Sequence, residues 1–225
     1  MTSVRLLTYN ILGGKARVAL RSVVRSVNPD VMVVNESPQA PVLWRVQCTT
    51  LAREWELQHV AGGRNAGRNM ILAQPHIGVA ETHVLRNRQS PFQPIRGAVA
   101  AQLQVDSHRF GVVGCHLALG QEAWLAQVEQ VLQTADLLEG PVVIAGDLNE
   151  PPHGAVWQLL REAGFVDHGD ADDLTFPAEH PVKRIDAVLV RGDLQVGRHR
   201  IPGIQPEILR LASDHLPVVA TLTWP

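Results

Sequence analysis

Several apolar segments of this 225-residue sequence end in a residue that can bind a metal ion or a phosphate group. Asn10 ends the segment LLTYN, Glu36 ends VMVVNE, His116 ends VVGCH, and Asp147 and Asn149 end VVIAGDLN. Burying such side chains without partners costs roughly 1–3 kcal/mol each, and more for charged groups. A shared polar cleft at the strand ends removes that cost, so we expect these residues to lie close together.

Alternation along a strand adds further residues to this cleft. Residues i and i+2 of a strand face the same way, so Asp147 and Asn149 are expected to point into the cleft while Leu148 turns into the core. Arg184 and Asp186, in the segment RIDAVLV, have the same relation.

The tripeptide SDH at 213–215 lies in a predicted loop, from which Asp214 and His215 can both reach the cleft. Cys115 and His116 are adjacent on a predicted strand and should face opposite sides of it, which argues against a Cys–His catalytic pair. The sequence contains no HExxH, GxSxG, Walker or GxGxxG motif that would indicate a different chemistry.

Together these side chains supply carboxylates and amide oxygens for a metal, with two histidines that respond to pH. Oxygen-rich ligation favours Mg²⁺ and excludes a typical zinc site, and Mn²⁺ is a chemically reasonable substitute. We therefore expect a Mg²⁺-dependent reaction in the cleft.

Helical and strand-like segments alternate along the chain, with hairpins between some strands. Helices are predicted near 16–27, 39–55, 121–138 and 154–163. The first two place these apolar residues at roughly helical spacing: Val18, Val23, Val24 and Val27, then Val42, Leu43, Val46, Leu51 and Trp55. The strand-like segments AVAAQLQV and RFGVVGCHL are joined by DSH, which predicts an antiparallel hairpin. The pattern indicates an α/β protein built on mixed sheets instead of a doubly wound parallel sheet.

Composition predicts one globular domain over residues 1–225, with 45% hydrophobic and 19% charged residues. The net charge of −2 gives no global positive field for binding long nucleic acid. Two cysteines without zinc-ligand spacing fit a reducing compartment. The N-terminal residues do not read as a signal peptide, and no apolar run approaches the ~20 residues that span a bilayer. We expect a monomeric cytoplasmic protein with no membrane span.

The ordered motifs TYNI, VNES, CHLALG, GDLN, RIDAVLV and SDHLPVVA resemble the endonuclease/exonuclease/phosphatase superfamily. The resemblance covers the whole chain. It implies a four-layer α/β sandwich, with two mixed, mainly antiparallel sheets flanked by helices as in pancreatic-type DNases. It also implies hydrolysis of phosphate esters with a divalent metal.

The resemblance further implies a role for each matching residue. Glu36 is similar to the principal metal ligand, with Asn10 beside it and Asp214 assisting. Asp147 resembles the residue that orients or deprotonates the attacking water, and Asn149 the amide that holds the nucleophile or the phosphate. His215 with Asp186 is similar to the histidine–aspartate pair that stabilises the phosphorane transition state. His116 matches the second histidine of the DNase-like and sphingomyelinase-like branches.

Basic and amide side chains near these motifs are candidates for binding the substrate phosphate: Arg68, Asn69, Arg96 and Arg184. An aspartate beside a histidine raises its pKa and fixes its orientation, so Asp186 should keep His215 cationic. The sequence departs from the family at Asn35, where glutamine is usual, and Asn35 is expected to face away from Glu36. Asn69 is expected in place of the acid that partners His116 in some DNases.

The sequence leaves two substrate classes and one non-enzymatic function as hypotheses. Nucleic acid is the first expectation, and a small-molecule or lipid phosphate ester is the second. The third hypothesis, from a different functional class, is a catalytically silent binding module on the same fold.

Overall fold

The computed structural model describes residues 2–86, 96–119, 121–197 and 201–224. The helices are α1 (Arg17–Val27), α2 (Trp44–Glu54), α3 (Gln121–Ala135), α4 (Ala155–Glu162) and α5 (Pro206–Ala212). The strands are β1 (Ser3–Asn10), β2 (Val31–Asn35), β3 (Gln58–Gly63), β4 (Asn69–Ala73), β5 (Gly78–Arg86), β6 (Gly97–Val105), β7 (His108–His116), β8 (Val142–Asp147), β9 (Val166–Asp167), β10 (Asp186–Arg191), β11 (Gln195–Val196) and β12 (Val218–Thr223). No described helix has the length and apolar character needed to cross a membrane.

The strands form two six-stranded sheets, with the orders β11-β12-β1-β2-β4-β3 and β5-β6-β7-β8-β10-β9. The pairs β1–β2 and β7–β8 are parallel, and the other pairs are antiparallel. Strands β6 and β7 form the predicted hairpin, in which Val105 pairs with His108. Both sheets are therefore mixed and mainly antiparallel, as expected.

Alternate residues along the strands pack into different layers. Leu6, Val33 and Val143 belong to a core between the two sheets. Their neighbours in sequence turn outwards: Leu7 packs toward α1, α2 and α5, and Ile144 packs toward α3 and α4. This alternation produces a helix–sheet–sheet–helix sandwich and confirms the four-layer prediction.

The helical predictions missed α5 and placed the start of α2 too early. Helix α2 begins only at Trp44, and Val42, Leu43 and Val46 are exposed instead of packed. In α1 the predicted apolar position Val18 is 84% exposed. The buried face of α1 is Leu20, Val23, Val24 and Val27, which follow the helical repeat, and Val18 lies on the opposite face of the helix.

Candidate active site

Strand register brings the polar strand ends of both sheets together. Asn10 at the end of β1 pairs with Asn35 at the end of β2. In the other sheet, Asp147 pairs with His116 on one side and with Asp186 on the other. The two sheets meet here because Asn10 Nδ2 donates a hydrogen bond to Asp147 Oδ2 at 3.2 Å.

Asp147 is the centre of the cluster and is only 1% exposed. Its Oδ2 lies 3.2 Å from His116 Nε2 and 3.6 Å from His215 Nε2. Its Oδ1 accepts a hydrogen bond from the backbone N–H of Asn149 at 2.9 Å. One buried carboxylate thus has two histidines and two amides as neighbours.

Burial, followed by the charge of Asp186, raises the pKa of Asp147 to about 7, against the opposing effect of His215 and two hydrogen bonds. A carboxyl group with a pKa near neutrality can accept and release a proton under physiological conditions. That property suits a residue that activates water.

The two histidines have opposite electrostatic environments. Burial acts to lower the pKa of His215, but the charge and hydrogen bond of Asp186, with the charges of Asp147 and Asp214, raise it to about 9. His215 Nδ1 lies 2.9 Å from Asp186 Oδ2, which fixes the ring. Burial and the charge of Arg96 instead place the pKa of His116 well below its ordinary value. His215 is therefore cationic and His116 neutral at pH 7.

The neighbours of His116 also determine its tautomer. Arg96 Nη1 lies 3.5 Å from His116 Nδ1, and a guanidinium can only donate a hydrogen bond. Nδ1 is then the acceptor, and Nε2 carries the proton and donates toward Asp147. Asn69, the expected partner of His116, does not occupy this position.

Asn149 reaches the cleft by a different geometry from the one expected. Strand β8 ends at Asp147, and Asn149 has the left-handed backbone angle φ 54°. Its Nδ2 donates to the carbonyl oxygen of Leu117 at 2.7 Å. Strand alternation therefore does not place Asn149, which is held beside Asp147 by a turn.

One group of acidic and histidine side chains next to Asn10 could bind a cation. Ligand atoms of Asp147, Asp186 and His215 lie within 4.8 Å of one another. Asp186 Oδ1 is buried, and within the described ranges no hydrogen-bond partner reaches it. This donor set, which is rich in carboxylate oxygen and includes one buried oxygen without a partner, fits a divalent cation.

The three residues expected to hold the metal have separate environments. Glu36 lines a cavity of about 420 Å³ and lies 3.5 Å from Arg68 Nη2 through Oε2. Asn10 Oδ1 accepts from the backbone N–H of Leu12, and Asp214 lines a neighbouring cavity. Leu12 lines both cavities, so the two acids flank one loop.

Two of the expected phosphate contacts are positioned for that role. Arg96 is buried beside His116, and its Nε has no hydrogen-bond partner in the described part of the chain. Arg68 lies at the cavity of Glu36, where its Nε donates to the carbonyl oxygen of Ser37 at 3.1 Å.

The other two residues expected to bind the phosphate, Asn69 and Arg184, make contacts within the fold. Asn69 is fully buried, and its Nδ2 donates to the carbonyl oxygens of Ala66 and Gly97. Arg184 is 2% exposed and donates to both carboxylate oxygens of Asp167, at 2.8 and 2.6 Å. The amide of Asn69 and the two terminal nitrogens of Arg184 are thus engaged within the fold, whereas Arg184 Nε has no hydrogen-bond partner among the described residues.

Three contributors to the site were not identified from the sequence. Asn35, expected to face away from Glu36, accepts a hydrogen bond from the Asp147 backbone N–H at 3.1 Å. Thr175 Oγ1 accepts from the backbone N–H of Asp186 at 3.2 Å, and the ring of Phe176 lies 4.8 Å from that of His215. Of these three residues, only Asn35 could have been recognised from the sequence, because it is a polar residue at the end of a buried apolar strand.

Cys115 faces the helices α3 and α4, away from His116, as alternation predicted. Burial, followed by the charge of Asp147, raises the pKa of its thiol to about 12. Both this cysteine and Cys48 are unpaired and buried. A thiol nucleophile is therefore not part of the site.

Comparison with solved structures shows the same fold over the whole chain. An endonuclease/exonuclease/phosphatase from Bacteroides vulgatus is 18% identical, with a TM-score of 0.77 and 100% of both chains covered. The mannosyl-6-phosphatase of Bacteroides thetaiotaomicron is 16% identical, with a TM-score of 0.78, covering 98% of this chain and 100% of that one. D. rerio TDP2 humanised by 14 mutations is 18% identical, with a TM-score of 0.73 and coverage of 98% and 99%.

These identities establish likeness of fold, and the family assignment comes from the sequence itself. No curated protein matches the sequence. The sequence model of the Endonuclease/Exonuclease/phosphatase family matches residues 7–215, which include the polar end of every strand in the site. The chain belongs to the endonuclease/exonuclease/phosphatase family, whose members hydrolyse phosphate esters.

Proposed function

We propose that this protein is a divalent-metal-dependent hydrolase of phosphate esters. The observation that carries the proposal is the position of the Asp147 carboxylate between His116 and His215, with Asp186 behind His215. A water-activating base and a cationic hydrogen-bond donor are thereby held within one buried cluster.

In the proposed mechanism, Asp147 orients the attacking water and accepts its proton. His215, held by Asp186, donates a hydrogen bond to the phosphate oxygen on which negative charge grows during attack. Asn149 Oδ1 holds the attacking water, His116 positions Asp147 through its Nε2–H, and Arg96 and Arg68 offset the charge of the phosphate. Each residue acts more strongly on the transition state than on the bound ester because that charge increases during the reaction.

We assign the metal to Glu36 as principal ligand, with Asn10 and Asp214 assisting. Mg²⁺ is the proposed ion and Mn²⁺ its substitute, and the bound ion supplies Lewis-acid activation of the phosphate. The Asp147–Asp186–His215 group is the other candidate position. The contact of 2.9 Å between His215 and Asp186, with the raised pKa of His215, favours the first assignment, because a protonated imidazole has no lone pair for a metal.

The test is hydrolysis by the purified protein in Mg²⁺, Mn²⁺ or EDTA. Single- and double-stranded DNA, RNA, a simple phosphodiester and several phosphomonoesters form the panel, so nucleic-acid and small-molecule substrates are compared directly. Asp147→Ala should lower turnover by a factor of roughly 10²–10⁴, the usual contribution of a general base. Asp136→Ala is the matched control, since Asp136 pairs with Arg191 at the surface.

Metal-dependent cleavage that is lost in Asp147→Ala supports the proposal. Cleavage that persists in EDTA contradicts the metal requirement, and full activity in Asp147→Ala contradicts the mechanism. A folded protein that hydrolyses nothing in the panel supports the binding-module alternative instead. A steep rise of KM with salt would indicate many phosphate contacts and favour nucleic acid.

A further inference from the structure

A second, larger cavity opens directly beside the catalytic cluster. It has a volume of about 880 Å³ and is lined by Asn149 and His215 on the side of the cluster. Leu174, Phe176 and Ile185 form part of its remaining wall. A volume of this size is typical of cavities that bind small organic molecules.

The cavity offers apolar surface and little charge. Arg184 lies in its wall, but its guanidinium is bound by both oxygens of Asp167 and lies 5.1 Å from the centre of the Trp157 ring. Besides His215 of the cluster, the other basic side chains there are His153 and Lys183, which are both exposed, and no acidic residue is among the described residues that line it. A chain of several phosphates therefore has few partners here.

Two large apolar side chains that line the cavity are exposed to solvent. Leu119 is 76% exposed and Val182 is 68% exposed, and both belong to the cavity lining. Exposed apolar side chains that adjoin a cavity mark a surface suited to an apolar ligand. Phe176, whose ring lies 4.8 Å from that of His215, extends this surface to the catalytic cluster.

We propose that this cavity binds the organic group of the phosphate ester and that this group is apolar. The inference rests on the proposed function, which puts the phosphate at Asp147 and His215. Because Asn149 and His215 belong both to the cluster and to the cavity wall, an ester with its phosphate in the cluster can extend its organic group into the cavity.

The test compares esters that differ only in apolar surface. Phenyl and 4-biphenylyl phosphates, each as the monoester and as the methyl diester, have leaving groups of similar acidity. We expect kcat/KM to be about tenfold higher for the biphenylyl ester, mainly through KM. Val182→Asp and Leu119→Asp should remove that preference while retaining hydrolysis of the phenyl ester, and Val18→Asp, at an exposed position on α1, should preserve it.

Equal kcat/KM for the two esters in the wild type would overturn the inference. So would a preference that survives in the double variant Leu119→Asp/Val182→Asp, or more efficient cleavage of a single-stranded oligonucleotide with a steep salt dependence. Calorimetry with phenylphosphonic and 4-biphenylylphosphonic acids tests the cavity without turnover. Tighter binding of the biphenylyl probe, lost in Val182→Asp, supports the inference even if the proposed hydrolysis fails, and equal binding overturns it.

Discussion

The side chain of Asn35 joins the two sheets at Asp147. Its Oδ1 accepts a hydrogen bond from the backbone N–H of Asp147 at 3.1 Å, and its Nδ2 donates to the carbonyl oxygen of Cys115 at 2.8 Å. The same Nδ2 donates to Asn69 Oδ1, also at 2.8 Å. Asn35 ends a strand of one sheet, whereas Cys115 and Asp147 lie on adjacent strands of the other, so this amide, together with Asn10, holds Asp147 against the sheet that carries Asn10 and Asn35.

Asn35→Ala should therefore lower both stability and turnover. The substitution leaves the Asp147 N–H and the Cys115 carbonyl buried without this partner, and each such group costs about 1–3 kcal/mol. Chemical denaturation measures the loss of unfolding free energy, and kcat measures the displacement of Asp147. Asn65→Ala, at an exposed position, is the control, and equal stability of the two variants would contradict the role of Asn35.

The ion pair of Arg184 should be important for stability. Arg184→Met leaves the carboxylate of Asp167 without its bidentate partner in a largely buried setting, where breaking a pair costs about 3 kcal/mol. Arg191→Met breaks the more exposed pair with Asp136 and should cost less than about 1 kcal/mol. Thermal and denaturant unfolding measure the stability of the two variants. If Arg184→Met is as stable as Arg191→Met and binds substrate less tightly, Arg184 contacts the substrate after all.

Glu36→Gln should weaken metal binding. The amide keeps the size of the side chain but removes the negative charge that a hard cation requires. We expect at least a tenfold rise in the Kd for Mn²⁺, measured by calorimetry, which needs no substrate. Glu54→Gln, at a surface ion pair with Arg17, should leave the Kd unchanged. An unchanged Kd in Glu36→Gln, with a raised one in Asp186→Asn, would move the metal to the Asp147–Asp186–His215 group.

The two cysteines should be unreactive in the folded protein. Burial raises the pKa of Cys48 to about 11 and that of Cys115 to about 12, above the ordinary value of 9.0. The thiolate is the reactive form, so at pH 8 a disulfide reagent such as Ellman's should titrate neither thiol within minutes, and both after unfolding. Rapid reaction of either cysteine in the folded protein would contradict its burial.

The same shifts give a pH dependence of stability. The folded state holds both thiol protons more tightly than the unfolded state does, so the stabilisation is fully present below pH 9 and is lost as pH rises through 11 to 12. Cys48→Ala, compared with the wild type by denaturant unfolding at pH 8 and pH 10, should show a smaller decline with pH.

The sequence by itself determined the architecture and the chemical class of the site. Alternating apolar patterns specified strands and helices because one face of each element must be buried, and polar residues at the ends of those strands indicated a shared cleft. The ordered motifs from TYNI to SDHLPVVA assigned the family. These features depend on local pattern and residue type, which the amino-acid sequence shows directly.

Only the tertiary structure decided which polar groups remain available for chemistry. Arg184 and Arg96 are both buried arginines near the cleft, yet Asp167 engages the guanidinium of one and the other faces His116. The left-handed backbone at Asn149 and the reach of Asn35 to Asp147 depend likewise on partners more than 30 residues away. Hydrogen bonding between distant segments determines these outcomes, because a polar atom that a neighbour has already satisfied is no longer free to bind a substrate.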